Sequence, residues 1–139
     1  MVHKHPLIIG NWKMNPLTEA EAVNLAKAVS TSLKKILDAT VVIAPPTLFL
    51  GAVSKAVKGG SVELGVQHVH PGPVGAFTGE MSPAQFAPFG VTFGIVGHSE
   101  RRARGETNDQ INASVLMLLK SKMHPVICVG ERERDAQAN

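Results

Sequence analysis

The chain has 139 residues, enough for one hydrophobic core, and with 44% hydrophobic and 18% charged residues it is not a disordered composition. Its longest apolar runs, such as Leu7–Ile9 and Val41–Ile43, are far too short to cross a membrane, and no apolar signal core follows the first six residues. The net charge of +3 comes from scattered basic residues, with Arg101, Arg102 and Arg104 the one local group, so no nucleic-acid stripe is read. A single cysteine, Cys128, excludes an internal disulfide and fits a reducing, cytoplasmic setting.

In chain order, Leu7–Trp12 reads as a strand. Thr18 with Glu21 forms a capping box, and Ala22, Leu25, Ala26, Val29, Leu33, Ile36 and Leu37 then recur at helical spacing, predicting a helix over Thr18–Leu37. Thr40–Ala44 is a second strand, stopped by Pro45 and Pro46. Thr47 is expected to cap a helix running to about Val57, ended by Gly59 and Gly60. Val62–Gln67 reads as a third strand, followed by a long Gly/Pro loop over 68–82. Ser82 caps a short helix with Pro83 at its first position, ending near Gly90. Thr92–Val96 is a fourth strand. Thr107 opens a helix whose apolar positions are Ile111, Val115, Leu118 and Leu119, with Lys120 and Lys122 expected in its last turn. Pro125–Val129 reads as a fifth strand that contains Cys128 as a small buried hydrophobe, and 131–139 is a polar tail.

Strand–helix alternation of this kind predicts an α/β fold with parallel strands and right-handed crossovers. The strands are apolar without clean alternation, as when both faces of a parallel sheet are covered. By themselves these features fit an open doubly wound sheet and part of a (βα) barrel equally well.

Three strand ends carry chemistry: Gly10-Asn11-Trp12-Lys13-Met14-Asn15 after the first, Gly97-His98-Ser99-Glu100-Arg101-Arg102 after the fourth, and Cys128-Val129-Gly130-Glu131 after the fifth. Gly75-Ala76-Phe77-Thr78-Gly79-Glu80 adds a fourth motif in the long loop. Together, in order and in register, they resemble the triosephosphate isomerase family from about Leu7 to Glu131. The resemblance implies strands one to five of a TIM (β/α)8 barrel, about βαβαβαβαβ, as one incomplete domain over 1–139. It implies an isomerase of glycolysis and gluconeogenesis that interconverts dihydroxyacetone phosphate and glyceraldehyde 3-phosphate through an enediol(ate), without a cofactor or metal.

The resemblance also assigns roles. Lys13 offers positive charge to the anionic substrate, and an ammonium in a low-dielectric mouth stabilises phosphate and developing oxyanion alike. His98 is the electrophile; a helix start behind it disfavours imidazolium and keeps the ring a neutral donor, the pairing with a carboxylate base that characterises this family. Asn11 positions substrate and Lys13, Glu100 orients Lys13 or carries protons, and Ser99 supports the same site. Arg101 ties the strand-four loop to a dimer contact through Glu106. Thr78, with Phe77 and Glu80, belongs to the loop that such a dimer inserts into the neighbouring subunit's Asn11 and His98.

One position departs from the pattern: His68 follows Gln67 where the family usually has Asn, which puts the local support of the long loop in question. His68 with His70, and His3 with His5, alternate without a nearby carboxylate set and do not make a metal site. A complete barrel takes about 250 residues. The family's general-base glutamate, its lid and its last phosphate loops match nothing here, and no motif nominates Glu131 or Glu133 as the base. The expectation is a chain inactive until completed, with open sheet edges that self-associate, form a homodimer or pair with a complementary C-terminal half. The alternative is a non-catalytic half-barrel assembly or phosphate-binding module. No membrane or nucleic-acid partner is expected.

Overall fold

The computed structural model describes residues 6–33 and 38–130. Five strands form one sheet: β1 (Leu7–Asn11), β2 (Thr40–Ala44), β3 (Val62–Val66), β4 (Val91–Val96) and β5 (His124–Ile127). All four pairings are parallel, and the strands lie in sequence order. A doubly wound sheet reverses its order at a switch point. This one never reverses, so each strand adds to the same side, which is how one arc of a (β/α)8 barrel is built.

Between the strands run α1 (Glu19–Ser32), α2 (Leu50–Val57), α3 (Pro83–Phe86), α4 (Ser99–Arg102) and α5 (Asn108–Lys120). Three of the four expected N-caps form. Thr18 and Glu21 form the reciprocal box on α1, Ser82 caps α3, and Thr107 caps α5 in a box with Gln110. Thr47 does not cap; it begins a 3-10 turn, Thr47–Phe49, that leads into α2. α3 likewise tightens into a 3-10 turn over Ala87–Phe89, closed by Gly90 at φ +72°. α5 ends at Lys120, so Lys122 lies beyond it, and β5 begins at His124 because its partner is Phe93. Cys128 falls just past the strand; its N–H still donates to the Val96 carbonyl at 2.9 Å. It is only half-buried, not the fully packed hydrophobe expected. Ile36, Leu37, His3, His5, Glu131 and Glu133 lie outside the described residues.

The core sits between the sheet and its helices. Ile43, Leu64, Val66 and Val96 pack against Ala22 and Ala26 of α1, Val53 and Val57 of α2, and Ile111 and Leu118 of α5. Gly94 faces this layer closely: a Cβ there would stand 2.6 Å from a Leu118 methyl. Alternation then turns Phe93 and Ile95 to the opposite face, where Val42 also lies, its methyl 3.0 Å from where a Gly65 Cβ would be. That second face is the barrel interior. The sheet is covered at its middle strands and open at its edges: Leu7 and Ile8, on opposite faces of β1, are 46% and 55% exposed, and Ile127 at the other edge is 50% exposed.

Candidate active site

The polar motifs all follow the C-terminal ends of strands, the face on which barrels carry their chemistry. At the end of β1, Asn11 turns the chain. Its Oδ1 accepts the Lys13 N–H at 3.0 Å, and the Trp12 N–H donates to the Ala44 carbonyl of β2 at 3.0 Å. Lys13 has φ +54°, a left-handed conformation that costs a non-glycine residue about 1–3 kcal/mol and persists where neighbours over-determine it. A side chain outside the sequence-derived set does so. Gln67 Nε2, just past β3, donates to the Lys13 carbonyl at 2.8 Å and to the Ala44 carbonyl at 3.0 Å. The sequence signal for Gln67 was its place: a polar amide at the carboxyl end of an apolar strand.

The fourth strand ends at Gly97, whose φ of +69° and crowding by Arg102 and Ile111 suit glycine. Arg102 fixes this turn, its Nε donating to the Gly97 carbonyl at 2.9 Å and its Nη1 to Asn108 Oδ1 at 2.7 Å. His98 follows as the cap of α4. Its Nδ1 accepts the Glu100 N–H at 3.2 Å, so in the neutral ring the proton sits on Nε2, which becomes a donor. Nδ1 also stands 3.6 Å from the Glu100 carboxylate.

Lys13 and Glu100, 87 positions apart in the chain, meet with Nζ 2.7 Å from Oε1. The hydrogen bond from Lys13 holds the Glu100 carboxyl below the ordinary range, with the charges of Lys13, His98 and Arg104 acting the same way against a smaller desolvation effect. Both side chains are more than half exposed, so the pair adds little stability but sets the direction of the ammonium. Asn11, Lys13, His98 and Glu100 are thus one cluster. Ser99 is exposed at the first position of α4, and among the described residues its side chain makes no hydrogen bond.

A second cluster lies at the base of the long loop. His68 Nε2 is 3.2 Å and His70 Nδ1 is 3.4 Å from Glu80 Oε2, while Arg101 Nε donates to Glu106 Oε1 at 3.1 Å. These residues line an open cleft of about 280 Å³ with Arg104 and Gln110. Burial, then the Arg101 charge, pushes His68 below the usual imidazole range, with Glu80 and Glu106 partly offsetting it. For Glu80, burial acts upward, but the bond and charge of His68, then of His70, bring it below the ordinary carboxylate range. The two histidines therefore do have carboxylates beside them, brought in from 80 and 106. Among the described residues no group of three such side chains is arranged to hold a metal ion. Phe77 stacks on His70 at 4.0 Å between centroids, and Thr78 sits exposed in the turn closed by the Glu80 N–H to the Phe77 carbonyl, where Gly79 takes φ +85°. Burial raises the Cys128 thiol, with Arg102 opposing and Glu106 adding, so it is not an activated nucleophile.

No described helix is long and apolar enough to cross a membrane. The family model "Triosephosphate isomerase" matches residues 6–139. The triosephosphate isomerase of Streptococcus mutans is 43% identical over 129 residues, and that of Carboxydothermus hydrogenoformans 41% over 129; in each case the match covers 92% of this chain and 51% of the relative. The crystal structure of triosephosphate isomerase from Bartonella henselae superposes with a TM-score of 0.84 at 30% identity, over 91% of this chain and 52% of that one. The chain spans about half the length of the relatives it matches, and the five-stranded arc is correspondingly a partial barrel. With a matching family model over nearly its whole length and the same arc in a solved relative, the chain belongs to the triosephosphate isomerase family.

Proposed function

We propose that this chain supplies the electrophilic and electrostatic side of a triosephosphate isomerase site. Its substrate is a small phosphorylated triose, and the remaining groups come from the part of the fold it does not span. The observation that carries the reading is the 2.7 Å approach of Lys13 to Glu100, which brings the first and fourth strand motifs to one mouth. His98 donates from Nε2 to the substrate carbonyl oxygen and lowers the cost of negative charge there as a proton leaves the adjacent carbon. Lys13 faces the same growing charge and the phosphate. Its ion pair is exposed, so a dianionic substrate can draw the ammonium from Glu100 at little cost. Asn11 fixes the Lys13 backbone, and Glu100 holds the ammonium in register while the site is empty.

The loop bearing Phe77, Thr78 and Glu80 supports a homodimer in which it meets a second copy. Phe77 is half exposed at its tip, and Arg101 lines the cleft at its base. The non-catalytic module is not favoured, because the relatives matched bear the isomerase name. In a barrel completed with the missing strands, His98→Gln is expected to lower kcat by about 10²–10³-fold, as loss of an oxyanion donor does. Unchanged kcat in that variant would remove His98 from the chemistry.

A further inference from the structure

We propose that Gln67 is a positioning residue: its side-chain amide locks Lys13 in the left-handed conformation and so aims the Lys13 ammonium across the mouth at Glu100. Two hydrogen bonds carry this, from Nε2 to the Lys13 carbonyl at 2.8 Å and to the Ala44 carbonyl at 3.0 Å. The two acceptors differ in kind. Ala44 ends β2 and is fully buried, a fixed point of the sheet, whereas Lys13 is an exposed loop residue with φ +54°. One NH₂ group donating to both ties the loop to the sheet, and its two donors match the two carbonyls. The Lys13 N–H is already held by Asn11 Oδ1 at 3.0 Å. Gln67 therefore supplies the second backbone restraint, on the carbonyl side, and both peptide units flanking the Lys13 Cα are fixed. With its backbone so fixed, the long Lys13 side chain has to search only its own torsions to meet Glu100.

The effect on turnover rests on the function proposed above, but the geometry can be tested without it. The test is an NMR titration of the Glu100 carboxyl in the 139-residue chain, wild type against Gln67→Leu, Gln67→Met and Lys13→Met. In wild type the midpoint is expected below the ordinary carboxylate range, because Lys13 is held against Glu100 at 2.7 Å. Gln67→Leu is expected to move the midpoint upward, toward the value seen in Lys13→Met. Adding Gln67→Leu to Lys13→Met should move it no further, since the two act through one ammonium. Gln67→Met keeps length, stays neutral and loses the donor, and it serves where Leu unfolds the chain. A scalar coupling across the hydrogen bond from Gln67 Nε2 to the Lys13 carbonyl, read in wild type, needs no variant at all. A folded Gln67 variant with an unmoved Glu100 midpoint, or an absent coupling where neither variant folds, overturns the proposal. In a completed barrel, lower kcat/KM in Gln67→Leu with His98 chemistry intact extends it to catalysis. A moved midpoint with unaltered turnover leaves the positioning standing and counts against the function instead.

Discussion

His68 stands between two carboxylates and a guanidinium, and that setting gives the chain a direction of pH response. Its folded pKa is depressed, chiefly by burial and then by Arg101. The unfolded chain therefore takes up the proton first as pH falls. Stability is fully present above the ordinary imidazole range and is lost as pH drops through the folded value. Glu80, also depressed, adds a loss of the same sign at lower pH. Urea unfolding measured from pH 8 to about pH 5 should thus show declining stability. His68→Asn, which removes the imidazole, should flatten the decline; an unchanged slope would place the acid sensitivity elsewhere. The sequence made Asn11, Lys13, His98 and Glu100 legible, because each sits inside a motif. Gln67, and the meeting of His68 with Glu80 and Glu106, were not legible. The first lies outside any motif, and the second is closed by a loop and a helix whose path no local pattern states.

Helices and strands were easier to read than single contacts, since periodicity and capping act within a few residues. The boxes at Thr18 and Thr107 show this. Boundaries failed where a partner sets them. β5 starts at His124 because Phe93 lies across from it, and Thr47 joins a 3-10 turn rather than capping α2. One tight joint between elements is Gly94 of β4 under Leu118 of α5, where an added Cβ would stand 2.6 and 2.8 Å from the two leucine methyls. Gly94→Ala should cost about 1–3 kcal/mol by overpacking. Leu118→Ala alone should cost about 2–5 kcal/mol, as its side chain is fully buried. The double variant should cost less than the sum, because each change relieves the other. Chemical denaturation of the three variants decides it, and strict additivity would mean the two side chains do not compete for that space.

At the scale of the molecule, strand order resolves what element order left open. Doubly wound and barrel folds share the same alternation, and an unreversed sheet of five parallel strands separates them. Of the fold, the arc was legible once the four motifs were seen in register; its open edges followed from the arc being partial. β1 exposes Leu7 and Ile8, and the far edge exposes Ile127 and Val129, the last at 86%. Such edges seek cover. The division of the site between this chain and the rest of the barrel is tested by an isomerase assay on the 139-residue chain of verified intact mass, alone and mixed with a segment supplying the remaining strands of a triosephosphate isomerase barrel. The chain alone should show no turnover, mixing should restore it, and His98→Gln should remove it again. Family-level turnover by the chain alone, or a mixture indifferent to His98, would mean that the site is not divided in this way.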